Sequence, residues 1–156
     1  MSGKPAPAGN PVVSQVLISI LCCGYWAGCT AIELEPISYR EAVAEYRSSG
    51  GNENYRCVLL PADEHYQAMT KTSPIAVEID QVLYIKIAGS LHTLQQSDID
   101  NSGTRYAADN ISATLTIISQ FNFTEYSESD DRHVDLSLQA GGKERLYKTF
   151  GTACGI

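Results

Sequence analysis

The chain has 156 residues, enough for one ordinary domain and too few for two well-packed ones. Eleven basic residues against 18 acidic ones give a formal charge of -7, which excludes a general attraction to nucleic acid or anionic lipid and favours a cationic partner. With 44% hydrophobic and 19% charged residues, the composition excludes a disordered chain, because there is enough apolar side chain to close a core. Met1 to Cys29 carries Lys4 as its one charged side chain, and Val12 to Leu21 is a mostly apolar run. This reads as the core of a secretory signal; it is shorter than the roughly 20 apolar residues of a membrane span. Next, Ser38-Tyr39-Arg40-Glu41 has the spacing of a capping box, so a helix is expected from there to about Ser49. Tyr39, Ala42, Val43 and Tyr46 form one apolar stripe along it, and Gly50-Gly51 ends it.

Beyond Asn52 the period changes to two. Short runs rich in β-branched and aromatic residues predict strands at 55–60, 75–79, 82–88, 112–118, 121–126, 134–138 and 145–150, each bounded by turn formers. Gly141-Gly142 between the last two signals a hairpin with a primed turn. Ser127 to Arg132, dense in acidic residues, reads as an exposed turn without the ligand spacing of an EF-hand. Asp100 to Asn110 reads as a projecting surface loop in which Gly103 permits a tight bend. His65, His92 and His133 are scattered, and no nucleophile elbow, phosphate loop or zinc-protease motif occurs. The expectation is a protein that is not an enzyme, with no metal, no cofactor, no small-molecule substrate and no nucleic-acid partner.

Trp26-Ala27-Gly28-Cys29 resembles the lipobox of bacterial lipoprotein precursors, with Trp26 where such boxes usually carry Leu. The resemblance implies cleavage before Cys29, a lipid on its sulfur, and, with Thr30 rather than Asp following, an outer-membrane location facing the periplasm. Removal of the leader takes Lys4 away, so that -7 becomes -8 for residues 30 to 156. Cys22 and Cys23 leave with the signal and Cys29 is lipidated, so Cys57 and Cys154 remain as a pair. In an exported chain an even pair points to a disulfide, worth between roughly 4 and 5 kcal/mol on a chain-entropy model, less any strain; two buried thiols are the other reading.

Six residues carry a second resemblance. Tyr55 and Cys57, then Ser102, Gly103 and Tyr106, then Cys154 match in order the Tyr-x-Cys start, the Ser-Gly-x-x-Tyr loop and the final cysteine of the periplasmic and membrane-bound inhibitors of c-type lysozyme, over about residues 53 to 154. That family implies a small exported β-barrel whose two cysteines form a disulfide. It also implies a loop serine, here Ser102, that enters the lysozyme cleft and hydrogen-bonds the catalytic carboxylates. Arg105 would add a charge-assisted bond there, and the acidic body would steer association with a basic enzyme. The family's Lys-Gly pair after the loop is missing, since Thr116 to Phe123 contains neither residue.

The expected architecture is therefore mainly β, a small antiparallel barrel or sandwich with one short N-terminal helix and one disulfide. Residues 1–28 form a lipoprotein-type signal, 29–52 an anchor and helical segment, and 53–156 the β domain. The expected function is a membrane-anchored envelope protein that inhibits a c-type lysozyme through the loop Ser102, Gly103, Arg105 and Tyr106. The alternative is a structural or assembly lipoprotein that binds another envelope protein. As an inhibitory loop, the segment needs Ser102 and Tyr106 exposed on a rigid protrusion.

Overall fold

A computed structural model describes residues 32–69, 72–124 and 128–156. The signal at 1–28, the lipidation candidate Cys29 and the end of the 121–126 run lie outside the described residues. After helix α1 (Tyr39–Ser48) come eight strands: β1 (Arg56–Pro61), β2 (Ala76–Ile79), β3 (Val82–Ile87), β4 (Ser90–Asp100), β5 (Gly103–Ala108), β6 (Ile111–Phe121), β7 (Ser129–Ala140) and β8 (Lys143–Gly155). Each pairs antiparallel with the next, and β1 pairs with β8, so the sheet closes into a barrel. Closure removes every unpaired strand edge. Cys57 and Cys154 form a disulfide across that closing seam, 97 residues apart, at the β-bulge between Arg56 and Val58.

Alternation sorts the side chains. Cys57, Leu59, Ala76, Leu83, Ile85, Leu94, Tyr106, Ala113, Leu115, Val134, Leu136 and Leu138 fill the interior. Val77, Ile79, Val82 and Tyr84 point outward from β2 and β3, where Ile37, Ala42 and Val43 cover them. The helix therefore packs on the barrel's flank. Its start follows from the sequence: Ser38 caps it by accepting the Glu41 amide at 3.1 Å. Glu41 turns its carboxylate to Lys86, with 3.2 Å between Nζ and Oε1, tying the helix to β3.

Three expectations change. The segment from Asp100 to Asn110 is not a loop: β4 and β5 form a hairpin whose turn is Asn101-Ser102, and a second turn at Asp109-Asn110 leads into β6. Neither strand shows a run of aliphatics, because their inward positions include Gln96 and Thr104. Likewise the acidic segment to Arg132 is no exposed turn, since β7 starts at Ser129 and Asp130 is buried at 7% exposure. Of the described part of the strand expected at 121–126, Phe121 alone is in a strand, as the last residue of β6; Asn122 to Thr124 lie outside it and Phe123 is exposed.

The two ends of the barrel differ. At one, the segment before α1 crosses the opening: Leu34 bridges to Ile87 and joins the core, the Leu34 amide donates to the Tyr147 hydroxyl at 3.0 Å, and that hydroxyl donates to the Ile32 carbonyl at 3.0 Å. Arg145 donates to the same carbonyl at 3.2 Å. This end is sealed. The other end, where β1 begins and β8 finishes, is open.

Candidate functional site

The open end gathers the residues that carry the chemistry. Glu78 on β2 faces inward, between the outward Val77 and Ile79, and is mostly buried. One of its carboxylate oxygens accepts from the Tyr106 hydroxyl and the other from the Tyr55 hydroxyl at 3.2 Å. Arg132 on β7 donates from Nη1 to the same Tyr55 oxygen at 3.1 Å and from Nε to Asp130 at 2.7 Å, and Gln120 donates to the other Asp130 oxygen at 2.6 Å. A polar chain thus runs from β5 through β2 and Tyr55, just before β1, to β7 and β6. Burial pushes the Glu78 carboxyl above the usual carboxylate range, against the lowering pull of Tyr106, Tyr55 and Arg132. Burial, reinforced by the charge of Glu78, also pushes the Tyr55 and Tyr106 hydroxyls up, so both remain protonated donors.

Above this floor lies a cavity of about 280 Å³. Leu59, Leu115 and Val134 supply apolar walls, and Ile99 and Ile117, 66% and 47% exposed, stand at its rim. Asp80, in the turn between β2 and β3, borders it. Its carboxylate is already occupied by the amides of Asn54 at 3.2 Å and Tyr55 at 2.9 Å and by the Tyr46 hydroxyl, which fasten the end of α1 and the entry to β1. Gly151 is where the disulfide and Arg132 crowd the backbone: a β-carbon there would meet the Arg132 Cγ at 2.9 Å and both sulfurs at 3.0 Å.

On the rim stands the β4–β5 tip. The last β3–β4 pair is Val82 with Gln95, and β4 continues to Asp100, so the hairpin rises past the β2–β3 turn. Ser102 is exposed at its tip, and its amide donates to Asp100 Oδ1 at 2.7 Å, as does its hydroxyl. The Ser102 carbonyl accepts from Thr116 Oγ1 at 2.6 Å, which pins the tip to β6. Arg105, also exposed, pairs with Asp100 at 3.1 Å. The Ser102 bonds, together with Arg105, hold the Asp100 carboxyl below the usual range. Gly103 has φ +136°, and a β-carbon on it would stand 2.3 Å from the Leu115 carbonyl oxygen, so glycine is required here.

Of the residues expected on one exposed loop, Ser102, Gly103 and Arg105 do form the tip. Tyr106 does not: it is 0% exposed inside the barrel, because it occupies an inward position of β5 opposite Ala113 and Gln96. All six residues that matched the inhibitor pattern nevertheless converge at the open end, four in or beside its floor and two in the tip. Sequence reasoning missed Glu78, Asp130 and Arg132. A signal for Glu78 existed, a single carboxylate within the apolar run Ile75-Ala76-Val77-Glu78-Ile79. His133 stacks on Tyr66 with ring centroids 5.0 Å apart and hydrogen-bonds Ser119, on the outer wall, away from this site. Among the described residues no cluster of His, Cys, Asp or Glu could hold a metal ion, and no helix is long and apolar enough to cross a membrane. No protein-family model matches the chain, and no curated protein or solved structure matches it.

Proposed function

We propose that the chain is a non-catalytic binding protein of the bacterial envelope, tethered through Cys29, that blocks the active-site cleft of a c-type lysozyme with its β4–β5 tip. The observation that carries this reading is the tip itself: an exposed Ser102 on a hairpin made rigid by Gly103, Thr116 and Asp100, rising from the rim of a disulfide-closed barrel. A rigid protrusion loses little conformational entropy on insertion. Ser102 and Arg105 are the contacts. Tyr106 acts from inside, fixing β5 through its bond to Glu78. Because the Ser102 hydroxyl rests on Asp100, it exchanges that partner for the carboxyls of the cleft on binding. The net charge of -8 that remains once the leader with Lys4 is removed suits a basic enzyme.

The test is lysis of cell-wall substrate by a c-type lysozyme with and without the purified, oxidised chain. Inhibition at micromolar protein, weakened about tenfold or more by Ser102→Ala and by Arg105→Ala, is expected. Absence of inhibition, or variants as potent as the parent, would refute the reading. The tether is checked separately: Cys29→Ala should release the protein from the membrane fraction.

A further inference from the structure

The cavity at the open end is not used by the tip, and its chemistry points to a ligand of its own. From the convergence of an unpaired inward carboxylate with apolar walls, we infer that the barrel mouth binds a small organic cation, an alkylammonium group on a short apolar body, with Glu78 as its counter-ion. This does not depend on lysozyme binding.

Three observations carry it. Glu78 has no ion pair among the described residues, although it lies in the barrel and lines the cavity; its two partners are neutral hydroxyls, one on each oxygen. A mostly buried carboxylate of this kind gains most from a cation that is buried with it. Second, the sign of the site is negative. Among the described residues Arg132 is the one cation at the cavity, and it is committed to Asp130 and Tyr55, while Glu78 and Asp80 add two further carboxylates. An anionic ligand would meet three carboxylates around one guanidinium already engaged. Third, the walls and size set the body of the ligand. Leu59, Leu115, Ile117 and Val134 face the same space, and the Tyr55 ring adds an aromatic wall of the kind cations favour. A volume of 280 Å³ corresponds to about nine waters at roughly 30 Å³ each, which admits a head group with a chain of four to six carbons and excludes a long acyl chain. Eight-stranded barrels are just wide enough for one such ligand. The same chemistry is carried by a free alkylamine and by a lysyl side chain.

The experiment is titration of the full oxidised chain, followed by calorimetry and by methyl NMR of the isoleucines, with n-butylammonium and n-hexylammonium against butyrate and hexanoate at matched ionic strength. The ammonium ions should bind and shift Ile99 and Ile117, up to about fourfold tighter per added methylene. The carboxylates should bind at least about tenfold more weakly. Glu78→Gln should remove that preference, and Ile117→Ala, at the half-exposed rim, should weaken hexylammonium more than butylammonium. Should Glu78→Gln fail to fold, the ammonium-against-carboxylate comparison on the parent and the Ile117→Ala series decide alone. A blocked lysine that binds like butylammonium assigns the cation to a protein side chain, and its exclusion assigns it to a free amine. Carboxylates binding as well as ammonium ions, no ammonium binding up to about 10 mM, or an unaffected folded Glu78→Gln variant would overturn the inference.

Discussion

Tyr106 separates the two roles a tyrosine could have in this hairpin. If it were an exposed contact of the inhibitory tip, its removal would cost binding and leave stability intact; buried at 0% exposure, it should do the reverse. Truncating a fully buried aromatic side chain costs about 3–5 kcal/mol through lost transfer energy and the residual cavity. Tyr106→Ala should therefore lose about 4 kcal/mol, a large share of the roughly 5–15 kcal/mol that holds a domain of this size together. Tyr106→Phe keeps the ring and removes only the hydroxyl that Glu78 accepts. A bond to a charged acceptor contributes about 1.5–3 kcal/mol, so about 2 kcal/mol is expected. For a domain between the small and medium classes this is a fall in Tm of about 6–10 °C. Ser102→Ala, at the exposed tip, should stay within about 0.5 kcal/mol of the parent. Circular dichroism melts and urea titrations of the three variants measure all of this. If Tyr106→Ala unfolds within about 1 kcal/mol of the parent, the inward placement of Tyr106 is wrong.

Further outcomes follow from the same geometry. The Cys57–Cys154 bond closes 97 residues, for which the chain-entropy relation gives about 4.7 kcal/mol at 25 °C; reduction or the double Ser variant should lower the urea midpoint accordingly, and a loss under about 1 kcal/mol would contradict a staple on the β1–β8 seam. Gly103→Ala forces a β-carbon against the Leu115 carbonyl at φ +136° and should cost about 1–3 kcal/mol or displace the tip, seen as loss of the Thr116–Ser102 contact by NMR. Glu78 supplies a pH dependence of definite sign. Its folded pKa is raised above the ordinary 4.5, so the folded chain holds this proton more tightly than the unfolded one. The associated stability is complete below pH 4.5 and is lost as pH rises through the raised value. The difference in Tm between parent and Glu78→Gln should change with pH in that window, and a flat difference would refute it. Asp63 and Asp100 act at the other side: their lowered values make stability fall as pH drops below 3.8.

What the sequence disclosed depended on where each element's apolar face lies. The helix was legible because Ser38 marks its start and Ala42 and Val43 repeat along the stripe that covers β2 and β3. The disulfide was legible from the cysteine count and the exported reading. Strands β2, β3 and β6 to β8 were legible because aliphatic residues recur on their inward faces. Strands β4 and β5 were hidden because their inward positions toward the open end are Gln96, Thr104 and Tyr106, polar atoms that serve the mouth rather than a dry core. The same cause hid Asp130 and Arg132: a run dense in Asp and Arg reads as a solvated turn unless the partners that bury it, Tyr55 and Gln120, are known to lie across the barrel. Polar strand interiors and sequence-local turns look alike when only one strand is in view.

The asymmetry of the barrel bears on how a tethered chain would present its site. The segment at Ile32 and Leu34 seals the end opposite the cavity. Two residues, Thr30 and Ala31, separate Cys29 from Ile32, and three steps of about 3.6 Å give a reach of roughly 11 Å. A lipid on Cys29 would thus hold the sealed end toward the bilayer and turn Ser102, Arg105 and the Glu78 cavity away from it, toward soluble partners. In that orientation the tether and the acidic charge would not conflict, since the charge-bearing rim at Asp98, Asp100 and Asp80 would face the aqueous side. A chain anchored to vesicles through Cys29 should bind its soluble target as well as the free chain does. Loss of binding upon anchoring would place the open end against the membrane and contradict the polarity read from Leu34.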